Sequence, residues 1–111
     1  MKGTHLGEFE EIVMLTIASL MTKAYSVNIV DEIARVTDRK TKLGVVHAVL
    51  KRLEDKGLIT SELGEPTKER GGRRKRFFQL SHTGKVALMK AKEQRDQLWS
   101  VIPEVVFQGV R

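Results

Sequence analysis

Leu43-Gly44-Val45-Val46-His47-Ala48-Val49-Leu50-Lys51-Arg52-Leu53-Glu54-Asp55-Lys56-Gly57-Leu58-Ile59 decides the fold. On a helical wheel Leu43, Val46, Leu50 and Leu53 share one narrow face. That pattern predicts a helix from Lys42 to about Lys56, with Thr41 as its cap. Gly57 stops it, since glycine takes left-handed backbone without steric cost. Leu58-Ile59-Thr60-Ser61 then reads as a short strand. Gly64 to Gly72 is polar, holds Pro66 and Gly71-Gly72, and reads as a long hairpin tip. Arg73 to Leu80 returns as a second strand with the aromatic pair Phe77-Phe78. Alternation puts Arg73, Lys75 and Phe77 on one face and Arg74, Arg76 and Phe78 on the other. At least one aromatic must pack the hairpin onto the helices, and which face meets a partner stays open.

Upstream, Leu6, Phe9, Ile12 or Val13, Ile17 and Leu20 recur at helical spacing up to Thr22-Lys23. Glu8, Glu10 and Glu11 fall in the first turns, where the helix dipole favours negative charge. Val27, Ile29 or Val30, Ile33 and Val36 make a second helical stripe, with Ser26 as cap and Thr37-Asp38 as its end. Downstream, Ser81 or Thr83 caps a fourth helix running to about Ile102, and Pro103 ends it. Three helices, a hairpin and a helix are the layout of a winged helix-turn-helix, a mainly α fold with a small β-hairpin.

Composition narrows the function. The chain has 111 residues, a net charge of +6 and no cysteine. It fits one small domain. A disulfide, a thiolate metal site and a cysteine nucleophile are excluded, and the absence of cysteine fits a reducing cytoplasm. The uncharged run from Ile12 to Thr22 is too short to span a bilayer, which takes about 20 apolar residues, so no membrane partner is expected. His5, His47 and His82 sit on three different elements without metal-ligand spacing. Glu10-Glu11 and Glu54-Asp55 are sequence neighbours, so each pair splits across a helix surface. Ser81 beside His82 is better explained as a cap than as a nucleophile. No enzyme, metal or cofactor is expected. Gly71-Gly72-Arg73-Arg74-Lys75-Arg76 lacks the Gly-Lys-Ser/Thr ending of a nucleotide loop.

The charge is concentrated in two places. Residues 39–56 hold six cations against two acids, a net of +4, and residues 65–76 hold the same balance. The rest of the chain sums to −2. The two basic regions are the third helix and the hairpin, which in a winged helix are the parts that meet a duplex. Double-stranded DNA is therefore the expected partner. Arg39, Lys40, Lys42, Lys51 and Arg52 are expected to reach phosphates from the helix, and Arg70, Arg73, Arg74, Lys75 and Arg76 from the wing. Thr41, Gly44, Val45 and Ala48 lie opposite or beside the apolar face, small enough for close approach to base edges. Two rivals remain: a winged helix that docks an acidic protein, and a DNA-binding protein without sequence preference.

The quoted helix-to-strand stretch resembles the third helix and first wing strand of the PadR family of bacterial transcriptional regulators. Glu69-Arg70-Gly71-Gly72-Arg73-Arg74-Lys75-Arg76-Phe77-Phe78-Gln79-Leu80 is similar to that family's wing. Ser81-His82-Thr83-Gly84-Lys85 is similar to the start of its last helix, and Leu6-Gly7-Glu8-Phe9-Glu10 fits as well. The likeness covers roughly residues 5–98. It departs at His47, where the family usually has Tyr. A Tyr hydroxyl there can donate to phosphate; His47 either does so with a pH-dependent charge or is a partly buried histidine satisfied by a neighbour.

The resemblance implies a cytoplasmic, homodimeric repressor. Residues 1–80 form the DNA-binding winged helix, with its wing at 58–80, and residues 81–111 form the dimerisation helix and tail. The residues of the last helix agree. Leu88, Ala91, Leu98 and Ile102 make a seam with Arg95 inside it, and Val86, Met89 and Trp99 widen it. Leu6, Phe9 and Val13 of the first helix are expected to help build the dimer interface. Some relatives bind flat aromatic compounds between subunits, which makes Trp99 a candidate contact for a small aromatic effector.

Overall fold

A computed structural model describes residues 6–65 and 74–110. Helix α1 (Glu8–Leu20) begins at Gly7, whose backbone N–H donates to Oε1 of Glu10 at 2.9 Å. Its inner face buries Val13, Met14 and Ile17. A 3-10 turn, Met21–Lys23, ends it where the sequence placed the end. Helix α2 (Ser26–Thr37) starts one residue early: Tyr25 takes the cap position and Ser26 is already helical. Asp38 closes α2 in left-handed backbone, with φ 61°. Only Ile29 and Ile33 of its stripe are buried, while Val27 and Val36 are exposed. α2 packs against α1 and α3 along one edge, so its buried strip is narrower than the expected stripe.

Helix α3 (Leu43–Asp55) buries Val46, Val49, Leu50 and Leu53. Leu43 was expected on that face and is instead exposed, because the first turn projects beyond the core; Val49 takes its place. Gly57 ends α3 with φ 76°. Its N–H reaches the Glu54 carbonyl at 2.9 Å, and the Leu58 N–H reaches that of Leu53 at 3.0 Å.

Strands β1 (Ile59–Leu63) and β2 (Arg76–Leu80) pair antiparallel, with Ser61 opposite Phe78. β1 extends further, and β2 starts later, than the sequence suggested. The hairpin is fastened to the helices through Phe78. Phe78 is buried, and its N–H donates to the Ala24 carbonyl at 2.8 Å. Most of the tip, with Arg70 and Arg73, lies outside the described residues.

Helix α4 (His82–Ser100) is capped by Ser81, whose Oγ accepts from Gly84 N at 3.0 Å and donates to the Gly57 carbonyl at 2.7 Å. It ends two residues before the expected Ile102, and a 3-10 turn, Glu104–Phe107, follows Pro103. Gly84 is required by close approach. A Cβ there would lie 2.0 Å from the Leu58 carbonyl oxygen. Ala87 and Leu88 belong to the same core as α1 and α3. Beyond Ala91, α4 runs fully exposed to Ser100. The molecule measures 58 × 35 × 21 Å with a radius of gyration of 16.7 Å. A compact chain of this length would have about 13 Å, and the far half of α4 projects from the core, touching its own chain through Arg95 on Glu11 and Trp99 on Phe107.

Candidate nucleic-acid interface

The outward side of α3 carries Gly44, Val45, His47, Ala48 and Lys51, all exposed. Small side chains let the backbone come close to a groove, and no Cβ contact lies within 4 Å of Gly44. His47 makes no hydrogen bond among the described residues, so the partly buried alternative is excluded. Thr41 departs from expectation. α3 begins at Leu43 with Lys42 as cap, one residue too late for the Thr41 hydroxyl to bond its first turn. That hydroxyl is buried and has no hydrogen-bond partner among the described residues, so it does not face a groove.

The cations of residues 39–56 divide into two sets. Lys40 and Lys42 are exposed and form no ion pair among the described residues. Lys51, 79% exposed, sits 3.5 Å from Asp55, which is also largely exposed, a pair worth well under about 1 kcal/mol that a phosphate can replace. The other three turn inward to α1. Arg39 pairs with Glu8 at 3.0 Å and lies 5.0 Å over the ring of Phe9. Arg52 Nε and Lys56 Nζ donate to Oε2 of Glu10 at 3.0 and 2.9 Å.

Arg39 and Arg52, expected as phosphate contacts, are therefore engaged within the chain. The reason is the placement of α1: its dipole-favoured acids face one edge of α3.

Glu10 is buried, with a carboxylate 8% exposed. Burial alone would raise its pKa. The hydrogen bonds from Gly7, Lys56 and Arg52 outweigh this and hold it at about 2, against an ordinary 4.5. The difference corresponds to roughly 3 kcal/mol of stability at neutral pH. Sequence reading assigned Glu10 only to the helix dipole. The Gly-x-x-Glu spacing from Gly7 signals its capping role, but nothing local signals partners 42 and 46 residues away.

The wing base shows the predicted alternation. Lys75 and Phe77 both meet Tyr25, the first 4.5 Å over its ring and the second edge-on at 5.5 Å. Arg76 and Phe78 face the opposite way. Arg76 donates to Ser61 Oγ at 3.0 Å, and Ser61 donates to Glu54 at 2.8 Å, so one wing cation is tied through Ser61 to α3. Arg74 donates to the Gly64 carbonyl at 2.7 Å. Tyr25 was missed by sequence reading; only packing brings it to the wing.

The expected dimer residues also divide. Val13 is fully buried in the core of its own chain and offers nothing to a second one, a correction that follows from its place on the inner face of α1, whereas Leu88 belongs to that core and also lines one of the grooves beside α4. Leu6 and Phe9 are half-buried against the same core. Arg95 pairs with Glu11 of α1. Leu98 and Trp99 are 68% and 62% exposed, and the Trp99 indole stacks on Phe107 at 5.6 Å. Two grooves flank α4, one of about 530 Å³ lined by Leu6, Val86, Ala91 and Leu98, the other of about 620 Å³ lined by Leu15, Met89 and Trp99. Among the described residues no cluster of His, Asp or Glu is arranged to hold a metal. Among the described residues no single helix is long and apolar enough to cross a membrane.

A helix-turn-helix backed by a two-stranded wing, with cations on α3 and at the wing base, defines a winged-helix DNA-binding protein. Residues 14–90 match the transcriptional regulator PadR-like family, and the chain belongs to it. Solved structures agree. A PadR family transcription regulator from Clostridium difficile R20291 is 28% identical, with a TM-score of 0.63 over 84% of this chain and 93% of that one. A PadR-like transcriptional regulator from Bacillus cereus ATCC 14579 superposes with a TM-score of 0.71 at 15% identity, over 91% and 92%. A PadR-like transcription factor from Bacteroides fragilis gives 0.67 at 20% identity, over 83% and 84%. A comparison with curated protein sequences gives no match.

Proposed function

We propose that this DNA-binding transcriptional regulator is a cytoplasmic homodimeric repressor that recognises an inverted-repeat operator. The observation that carries the dimer is the exposed apolar ridge made by the far end of α4 and the turn after it. Leu98, Trp99, Val101, Val105 and Val106 are all more than half exposed there, next to two apolar grooves of their own chain. So large an apolar surface calls for a partner, and a second copy supplies matching grooves by symmetry. In the dimer, the two α3 helices would enter successive major grooves about 34 Å apart. Gly44, Val45 and Ala48 would approach base edges while Lys42, Lys51 and the wing cations hold phosphates. Repression would be steric, by occupation of a promoter.

The test combines sequence preference with salt dependence on duplexes from the promoter beside the gene. A dimer making about 8 phosphate contacts gives log K against log salt a slope near −7, with preference for one inverted repeat. Equal affinity for promoter and random duplex would instead indicate a non-specific binder. A shallow slope would indicate a protein partner.

A further inference from the structure

Among the described residues Glu10 is the one buried carboxylate that faces α3, and both of its oxygens are in use. Oε1 accepts the Gly7 backbone N–H, and Oε2 accepts Arg52 and Lys56 together. Lys51 offers the contrast on the same helix: its partner Asp55 is 67% exposed, and water can solvate that carboxylate when Lys51 leaves for a phosphate. Water has little access to Glu10. If Arg52 and Lys56 both moved to DNA, an ionised carboxylate would stay buried without a countercharge, which folded proteins avoid.

We propose that Glu10 is a specificity-determining residue. It withdraws Arg52 and Lys56 from phosphate binding and so limits the sequence-independent part of DNA affinity. The inference rests on the DNA-binding reading. Its logic is that phosphate contacts add affinity for every sequence alike, whereas groove contacts through Gly44, Val45 and Ala48 discriminate. An acid that masks cations at the far end of α3 leaves a larger share of binding to the discriminating residues.

The experiment uses the full chain and a random-sequence duplex, with affinity measured across a salt series. Glu10→Gln removes the masking charge and keeps the shape. Its slope of log K against log salt should become more negative by about 3.6, two released cations on each of two protomers. Affinity at 0.1 M salt should rise at least about tenfold. Arg52→Gln in the natural background should leave the slope unchanged, whereas in the Glu10→Gln background it should reverse about half of the steepening, Lys56 carrying the rest. Glu10→Asp, which keeps the charge, should restore the natural slope. A purely structural role for Glu10 would lower affinity at every salt concentration without steepening the slope, and that result overturns the proposal. So does a flattened slope in Arg52→Gln alone, a measurement that stands even where Glu10→Gln does not fold. Failure of the natural protein to bind any duplex would instead remove the DNA-binding reading beneath it.

Discussion

The outer face of α3 and the far half of α4 are both exposed, yet they are built for opposite neighbours. α3 presents glycine, alanine, a valine, a histidine and a loosely paired lysine. α4 and the turn after it present leucine, tryptophan and valines. A surface of small residues edged by cations suits a polyanion approached at close range. A projecting ridge of large apolar residues suits an apolar partner that removes it from water. The contrast sets apart two candidate interfaces on one short chain, joined by α1, whose adjacent acids Glu10 and Glu11 reach α3 and α4 respectively.

The joint between the two surfaces is the largest lever. Gly84→Ala drives a methyl group into the Leu58 carbonyl. It should destabilise the fold by about 3 kcal/mol or more, seen as a large drop in Tm. A Tm within a few degrees of the natural protein would mean that α4 docks with slack.

Acid should loosen the α3 side next. Glu10 titrates near 2 when folded and near 4.5 when free, so its contribution is complete above pH 4.5 and disappears as pH falls toward 2. The stability gap between the natural protein and Glu10→Gln should be roughly 3 kcal/mol at neutral pH and close over that window in denaturant titrations. A gap constant with pH would contradict the ion-pair geometry.

Leu98→Glu should act only on the α4 side. It places a charge on the proposed dimer surface and should yield a folded monomer by sedimentation. DNA affinity should then fall about 100-fold or more, through loss of the second binding arm. A variant still dimeric at micromolar concentration would move the interface elsewhere.

Lys51→Gln should act only on the α3 side, making the salt slope shallower by about 1.8 for a dimer, with dimerisation unchanged. The smallest effect belongs to His47. If it donates to phosphate, affinity should fall a few-fold from pH 6 to pH 8, more than in His47→Tyr. Matching pH profiles would remove the contact. For the effector surface, the readout is Trp99 fluorescence titrated with flat hydrophobic cations. Phe107 already covers one indole face, so a quenching ligand must take the other or displace Phe107.

Much of the architecture was legible in residue order. The stripe of Val46, Leu50 and Leu53, the stop at Gly57, the cap at Ser81 and the alternation around Phe77-Phe78 are short-range features. Steric and hydrogen-bonding rules act on them within one or two turns. Thr41 and Leu43 were misplaced because a one-residue shift in a helix start is nearly neutral locally, and packing decides it. The cations were the harder case. Summed charge identified the basic regions, but Arg39 and Arg52 look no different in sequence from Lys42 and Lys51.

Local periodicity by itself therefore determined a winged helix with an added helix, and the location of its positive charge. Which cations stay available, which apolar residues of α1 and α4 are consumed by their own core, and that Tyr25 meets the wing were decided only by folding. A charge or a methyl group acquires its partner from whatever the packed chain brings within a few ångströms, and residues 42 or 46 positions apart carry no local mark of that meeting.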